Sequence, residues 1–266
     1  MSVLRKFNVS LVVLALIVAG CSTARPADPT STTSASEPDS TRRSSTTLNN
    51  RPSSTVRSST TTSVPPSTPQ SSLQPATPPE QGVGLIGVVG CSNTDQSVTG
   101  YSGVSSQDRL ISGDLGGGTA SIWGDPGNNS YAEYWGIYDS RRPADGLDDA
   151  WVQICLRTND HGGVFDQPEM DWISHIVEQL QQRDPGINVW ISPINFYEGV
   201  VCDAIGPDGS EIAAQTADWA AASVSGAFRG PDLGPVSASQ TALRDNCHLN
   251  DAGRRLVGGQ LVEFFD

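Results

Sequence analysis

Lysine is almost missing from this 266-residue chain: Lys6 is the only one. From residue 81 onward the cations are 9 arginines, set against 25 aspartates and glutamates, a formal balance of −16. A surface of that sign repels phosphate backbones and anionic membranes, so nucleic acid is not an expected partner. The acidic balance otherwise reads as a solvated surface that favours solubility. The apolar stretch from Leu11 to Gly20 is too short for a standard spanning helix. The five cysteines contain no Cys-x-x-Cys pair, so no zinc site is expected, and no other cofactor is called for. Three consecutive glycines, 116 to 118, are not followed by lysine and do not make a phosphate loop.

The amino terminus reads as an export segment. Arg5 and Lys6 precede the apolar stretch, and Val18-Ala19-Gly20-Cys21 resembles the lipobox of bacterial lipoproteins, with Val in place of the usual first Leu. The resemblance implies that residues 1–21 are a signal peptide and that Cys21 carries lipid as the mature N-terminus. The protein is then expected in the bacterial cell envelope, outside the cytoplasm, touching membrane through Cys21 alone. Residues 22–82 are a different material. Ser and Thr make up 28 of the 59 residues from 22 to 80, without one aromatic. Such a segment buries too little apolar surface to offset its ordering entropy, and is expected to be a disordered stalk.

The remaining stretch, 83–266, has the size of one domain and is expected to be monomeric. "VGLIGVVG" (83–90), "AWVQICLRTND" (150–160) and "INVWISPIN" (187–195) read as buried strands, with a weaker strand in "RLISGDL". "PEMDWISHIVEQLQQRD" (168–184) has helical spacing through Met170, Ile173, Val177 and Leu180, and Pro168 suits its start. Helical segments also fall after Ser92, through Tyr131 to Tyr138, around 211–224 and around 250–264. Alternating strands and helices predict an α/β domain with a mainly parallel sheet of about five strands, covered on both faces. Ligands of such sheets bind outside the carboxyl ends of the strands. Ser92, Asn159 and Asn195 stand at three of those ends.

"DNCH" (245–248) places an aspartate three residues before one of only three histidines. A serine hydroxyl becomes a nucleophile when a neutral imidazole takes its proton and an acceptor orients that imidazole. Asp245 and His248 offer the second pair, Ser92 the first. The tetrahedral intermediate then needs hydrogen-bond donors for its oxyanion. The Ser92 N–H, a glycine N–H from 116–118 and the Asn159 amide are the candidates.

The order "GCSNT", "LGGGT", "RTND", "DNCH" resembles the four signature blocks of the SGNH/GDSL hydrolase family across about residues 84–264. The resemblance implies a flavodoxin-like three-layer α/β/α sandwich and metal-free hydrolysis of carboxylic esters. Carried over by position, Ser92 is the nucleophile, His248 the base and Asp245 its partner, with Ser92, Gly117 and Asn159 as oxyanion donors. Outside the cytoplasm, small esters or O-acyl groups on glycans are the expected substrates. A non-catalytic glycan-binding or envelope-assembly protein on the same fold is the alternative. One departure from the family pattern stands beside the nucleophile. Cys91 replaces the usual Asp, which introduces a rival nucleophile.

Four cysteines follow Cys21, and an exported chain permits disulfides. Cys202 and Cys247 both fall in polar stretches and form the favoured bridge. Cys155, in an expected core strand, reads as a buried thiol. His175 reads as a helix surface or packing residue. His161 reads equally as pocket lining or as a loop histidine. Trp123, Trp135 and Trp151 read as core rather than as a sugar platform.

Overall fold

The computed structural model describes residues 77–111, 116–160 and 162–266. The expected signal peptide with Cys21, the stalk as far as residue 76, and His161 lie outside the described residues. Gly82, placed by sequence in the stalk, already belongs to the domain. Its N–H donates to Asp149 Oδ2 at 2.8 Å, and its carbonyl accepts from Arg109.

Five parallel strands form the sheet: β1 (Ile86–Val89), β2 (Leu110–Ile111), β3 (Asp149–Ile154), β4 (Asn188–Pro193) and β6 (Ala227–Arg229). Their order is β2-β1-β3-β4-β6, and β5 (Tyr197–Glu198) pairs separately with β7 (Val236–Ser237). All residues of β1 and β3 are buried. That is the reason for their near-continuous apolar runs, since a parallel sheet has no wet face. The main-sheet order is the doubly wound 2-1-3-4-5 arrangement, so the α/β expectation with about five strands holds.

The helices are α1 (Ser92–Ser102), α2 (Ala120–Gly124), α3 (Tyr131–Arg141), α4 (Gln167–Arg183), α5 (Gly209–Ser223) and α6 (Asp251–Phe265). From β1 the sheet grows one way through α1 to β2 and the other way through β3. Crossovers of one hand therefore place helices on opposite faces, which makes three layers. α1 packs on α6, while α4 packs on α2 and α5. The α1–α6 contact is backbone to backbone: a Cβ on Gly100 would fall 1.9 Å from the Arg254 carbonyl oxygen. In α4 Ile173, Val177 and Leu180 are buried as their spacing predicted, joined by Ile176, while Met170 at the head of the stripe is only half-buried. The Asp166 N–H donates to Glu169 Oε2 at 3.2 Å and closes the start of that helix. Trp123, Trp135 and Trp151 are core residues, each at most 2% exposed.

The chain switches direction across the sheet between β1 and β3. In a doubly wound sheet that crevice is where a ligand binds. The residues just beyond it are Ser92 on one side and Cys155, Leu156 and Arg157 on the other.

Candidate functional site

β1 stops at Val89 and α1 starts at Ser92, with only Gly90 and Cys91 between them. Two bonds hold this short turn. The Trp123 indole N–H donates to the Gly90 carbonyl at 2.8 Å, and the Cys91 N–H donates to Thr94 Oγ1 at 2.9 Å. Thr94 in turn donates to Gln153 Oε1 on β3 at 2.8 Å. Ser92 is the first residue of α1, so its N–H and that of Asn93 have no acceptor within the helix and present the positive end of its dipole.

The imidazole reaches Ser92 from the far end of the chain. Ser92 Oγ lies 2.9 Å from His248 Nε2, and His248 Nδ1 lies 2.6 Å from Asp245 Oδ2. Asp245 Oδ1 also accepts the backbone N–H groups of Cys247 and His248, both at 3.1 Å. Burial alone would raise the Asp245 carboxyl. The hydrogen bonds from the His248 ring and from the two N–H groups outweigh it and hold the carboxyl down to about 2. Asp245 is therefore an anion at neutral pH and fixes the proton on Nδ1, leaving Nε2 as the acceptor that faces Ser92.

The loop carrying these two residues has no strand of the main sheet beneath it. An isolated bridge between Thr241 and Leu249 closes its base, and Asn246 turns the chain with φ 51°, a conformation asparagine tolerates better than most residues. The Leu249 N–H donates to Gln96 Oε1 on α1 at 2.6 Å. The Tyr197 hydroxyl donates to the Cys247 carbonyl at 2.9 Å, and burial pushes that phenol upward, so it stays protonated as a donor. Asn250 then caps α6, accepting from the N–H groups of Ala252 and Gly253.

Two disulfides flank the site. Cys202 pairs with Cys247, as the sequence favoured. Cys91 pairs with Cys155, which corrects two expectations at once. Cys155 is not a free thiol, and Cys91 offers no thiolate to compete with Ser92, because both sulfurs are consumed. Where the resembled family has an aspartate supporting the turn, this chain has a covalent tie from the end of β1 to the end of β3.

A cavity of about 180 Å³ opens beside Ser92 and His248. Leu156, Ile194, Ala204 and Ile205 give it an apolar side, and Gly116, Gly117 and Arg157 a polar one. The expected oxyanion donors are only partly gathered there. Gly117 lines the cavity, but its N–H donates to the Tyr134 hydroxyl at 3.0 Å. Asn159 is exposed in the turn after β3 and is not among the cavity-lining residues. Asn195 is buried beyond β4, where its Oδ1 accepts from Gln153, and it too is absent from the lining. Asn93 Nδ2 approaches Cys247 Sγ at 3.5 Å and links the two halves of the site. His175 stands apart on α4, bonded to the Tyr131 hydroxyl at 2.9 Å, as befits a packing residue.

No family model matches the chain, and no curated protein or solved structure matches it either. Among the described residues, no cluster of His, Cys, Asp and Glu is arranged to hold a metal ion, and no helix is long and apolar enough to cross a membrane.

Sequence reasoning missed Arg157, Tyr134 and the Cys91–Cys155 bond. Arg157 stands inside the quoted "RTND" block and three residues past the end of β3, so its position was visible although its role was not. Tyr134 reaches the glycines from a helix whose spacing announced only packing. Pairing Cys91 with Cys155 required knowing that β1 and β3 are neighbours.

Proposed function

We propose that this protein is a serine ester hydrolase of the SGNH/GDSL kind, working outside the cytoplasm from a lipid anchor at Cys21. The observation that carries the reading is the hydrogen-bonded series Ser92–His248–Asp245, at 2.9 and 2.6 Å, assembled at the switch point of a parallel sheet. Ser92 Oγ attacks the acyl carbon while Nε2 of His248 takes the hydroxyl proton. Nε2 then gives that proton to the departing alcohol. Water enters, loses a proton to the same nitrogen and hydrolyses the acyl-enzyme. The Ser92 N–H, at the positive end of α1, donates to the oxyanion. Gly117 joins it when its N–H exchanges the Tyr134 hydroxyl for the substrate. A small or glycan-borne acyl ester fits the cavity, whose apolar side suits a short acyl chain.

A second reading, a glycan-binding module without turnover, draws support from the occupied Gly117 N–H and the position of Asn159. One experiment separates the two. The purified protein and Ser92→Ala are given 4-nitrophenyl acetate and acetylated glycans, and an organophosphonate label is located by mass spectrometry. Turnover and label that disappear with Ser92→Ala support the hydrolase. Folded protein that binds glycan, turns over neither ester and takes no label makes it a binding module.

A further inference from the structure

Arg157 has no assigned work. It lies at the polar side of the cavity: a methyl group placed on Gly117 would stand 3.5 Å from Arg157 Nη2 and 3.7 Å from the Tyr134 hydroxyl. The domain's other arginines are largely spoken for. Arg142, Arg183, Arg229, Arg244 and Arg254 each hold an aspartate, and Arg109 holds main-chain carbonyls. Arg157 has no ion pair among the described residues. The nearby carboxylate of Asp160 is turned onto the main chain, accepting the Arg157 N–H at 3.0 Å. A guanidinium with no ion pair among the described residues, at the mouth of a cavity and in a domain of formal charge −16 without a lysine, is a strong local exception. Elsewhere that field repels anions; here a planar, permanently charged fork is left open toward the nucleophile's cavity.

We infer that the ester hydrolysed at Ser92 carries an anionic group, a carboxylate or phosphate within reach of the scissile carbonyl, and that Arg157 selects it. The inference rests on the hydrolase reading above. The acyl or alcohol portion lies along the apolar residues Leu156 and Ile205, and the anion is held by the Arg157 guanidinium. Arg157 is then a specificity residue that holds substrate, leaving bond-making to Ser92 and His248.

The test compares matched esters on the full chain, on Arg157→Gln and on Arg157→Lys. Mono-4-nitrophenyl glutarate against 4-nitrophenyl pentanoate puts the charge on the acyl side. 4-Acetoxybenzoate against 4-acetoxybenzamide puts it on the alcohol side. The expected result is that kcat/KM for one anionic ester, relative to its neutral partner, falls roughly tenfold in Arg157→Gln, the scale of one charge-assisted hydrogen bond. The neutral ester is unchanged, and Arg157→Lys restores part of the ratio. The arm that responds tells which side of the ester bears the anion. Ratios equal in wild type and Arg157→Gln in both arms overturn the inference. So does an equal loss on neutral and anionic esters, which would make Arg157 an oxyanion donor or a packing residue. Labelling of Ser92 by a neutral organophosphonate shows each variant folded with its nucleophile intact. Absence of both turnover and label in wild type sinks the hydrolase reading itself, and this inference with it.

Discussion

The turn that carries Ser92 and the loop that carries His248 share one device and little else. In each, a half-cystine immediately precedes the functional residue: Cys91 before Ser92, Cys247 before His248. The turn is a short link between a buried strand and a helix, pinned by Trp123, Thr94 and the sheet itself. The loop rests on one isolated bridge, a tyrosine, a glutamine and its disulfide. The same covalent bond therefore has different work in the two places. Beside Ser92 it reinforces a position that the sheet already dictates. Beside His248 it supplies much of the position. Rigid support for a reacting group comes from the elements under it, and a loop without a strand beneath it needs another constraint.

The comparison can be broken most directly at its weakest-supported member. Asp245→Asn removes the anion that keeps the Nδ1 proton in place, and kcat is expected to fall about 10⁴-fold while the fold persists. Steady-state kinetics with circular dichroism checks this. The same variant alters acid stability. The wild-type carboxyl, held at about 2 against an ordinary 3.8, contributes stability that is fully present above about pH 4 and is lost as pH falls through about 2. Asp245→Asn should lack that decline in acid-unfolding curves.

The two disulfides give the next effect. They close stretches of 64 and 45 residues, so chain entropy assigns each about 4 kcal/mol, nearly the same for both. Paired serine substitutions should accordingly lower stability by similar amounts. Activity should separate them. At a temperature where both variants are folded, Cys202→Ser/Cys247→Ser is expected to lose roughly tenfold in kcat, the cost of a misplaced base, and Cys91→Ser/Cys155→Ser clearly less. Equal losses would show that the sheet does not hold Ser92 independently.

Asn159 tests the nucleophile's side from across the crevice. An oxyanion donor costs about 10²–10³ in kcat when removed. Asn159 is exposed outside the cavity, so Asn159→Ala is expected to cost less than about tenfold. A loss of the larger size would mean that the turn after β3 swings inward when substrate binds.

The smallest effect belongs to neither region. Glu169, buried at the start of α4, has its carboxyl raised to about 7, by burial first and then by Asp166. A raised carboxyl favours the protonated fold, so this group's unfavourable contribution grows as pH rises from about 4.5 and is complete above about 7. Glu169→Gln should therefore raise Tm by a few degrees at pH 8 and leave it unchanged at pH 4. Calorimetry at the two values would remove a pH-dependent background from the site comparison.

Much of this was legible in the residues. Near-continuous apolar runs announced β1, β3 and β4, because strands covered on both faces are apolar at most positions; the polar exceptions Asp149, Gln153 and Ser192 are buried and hydrogen-bonded. Helical spacing announced α3 and α4 for the complementary reason, that only one stripe is buried. "DNCH" announced the Asp245–His248 contact, since three residues of tight turn suffice to bring those side chains together. The sequence by itself thus determined the local pairs, the strand ends and the class of fold. The Ser92–His248 partnership was readable only through the resemblance, and tertiary structure supplied its distance across 156 positions. Tertiary structure alone decided that Cys91 faces Cys155, that Tyr134 occupies the Gly117 N–H, and that Arg157 stands at the cavity without an ion pair among the described residues. Each of these depends on which strands are neighbours and how closely a helix packs. Those distances are set by the burial of the whole core, and no short stretch of sequence contains them.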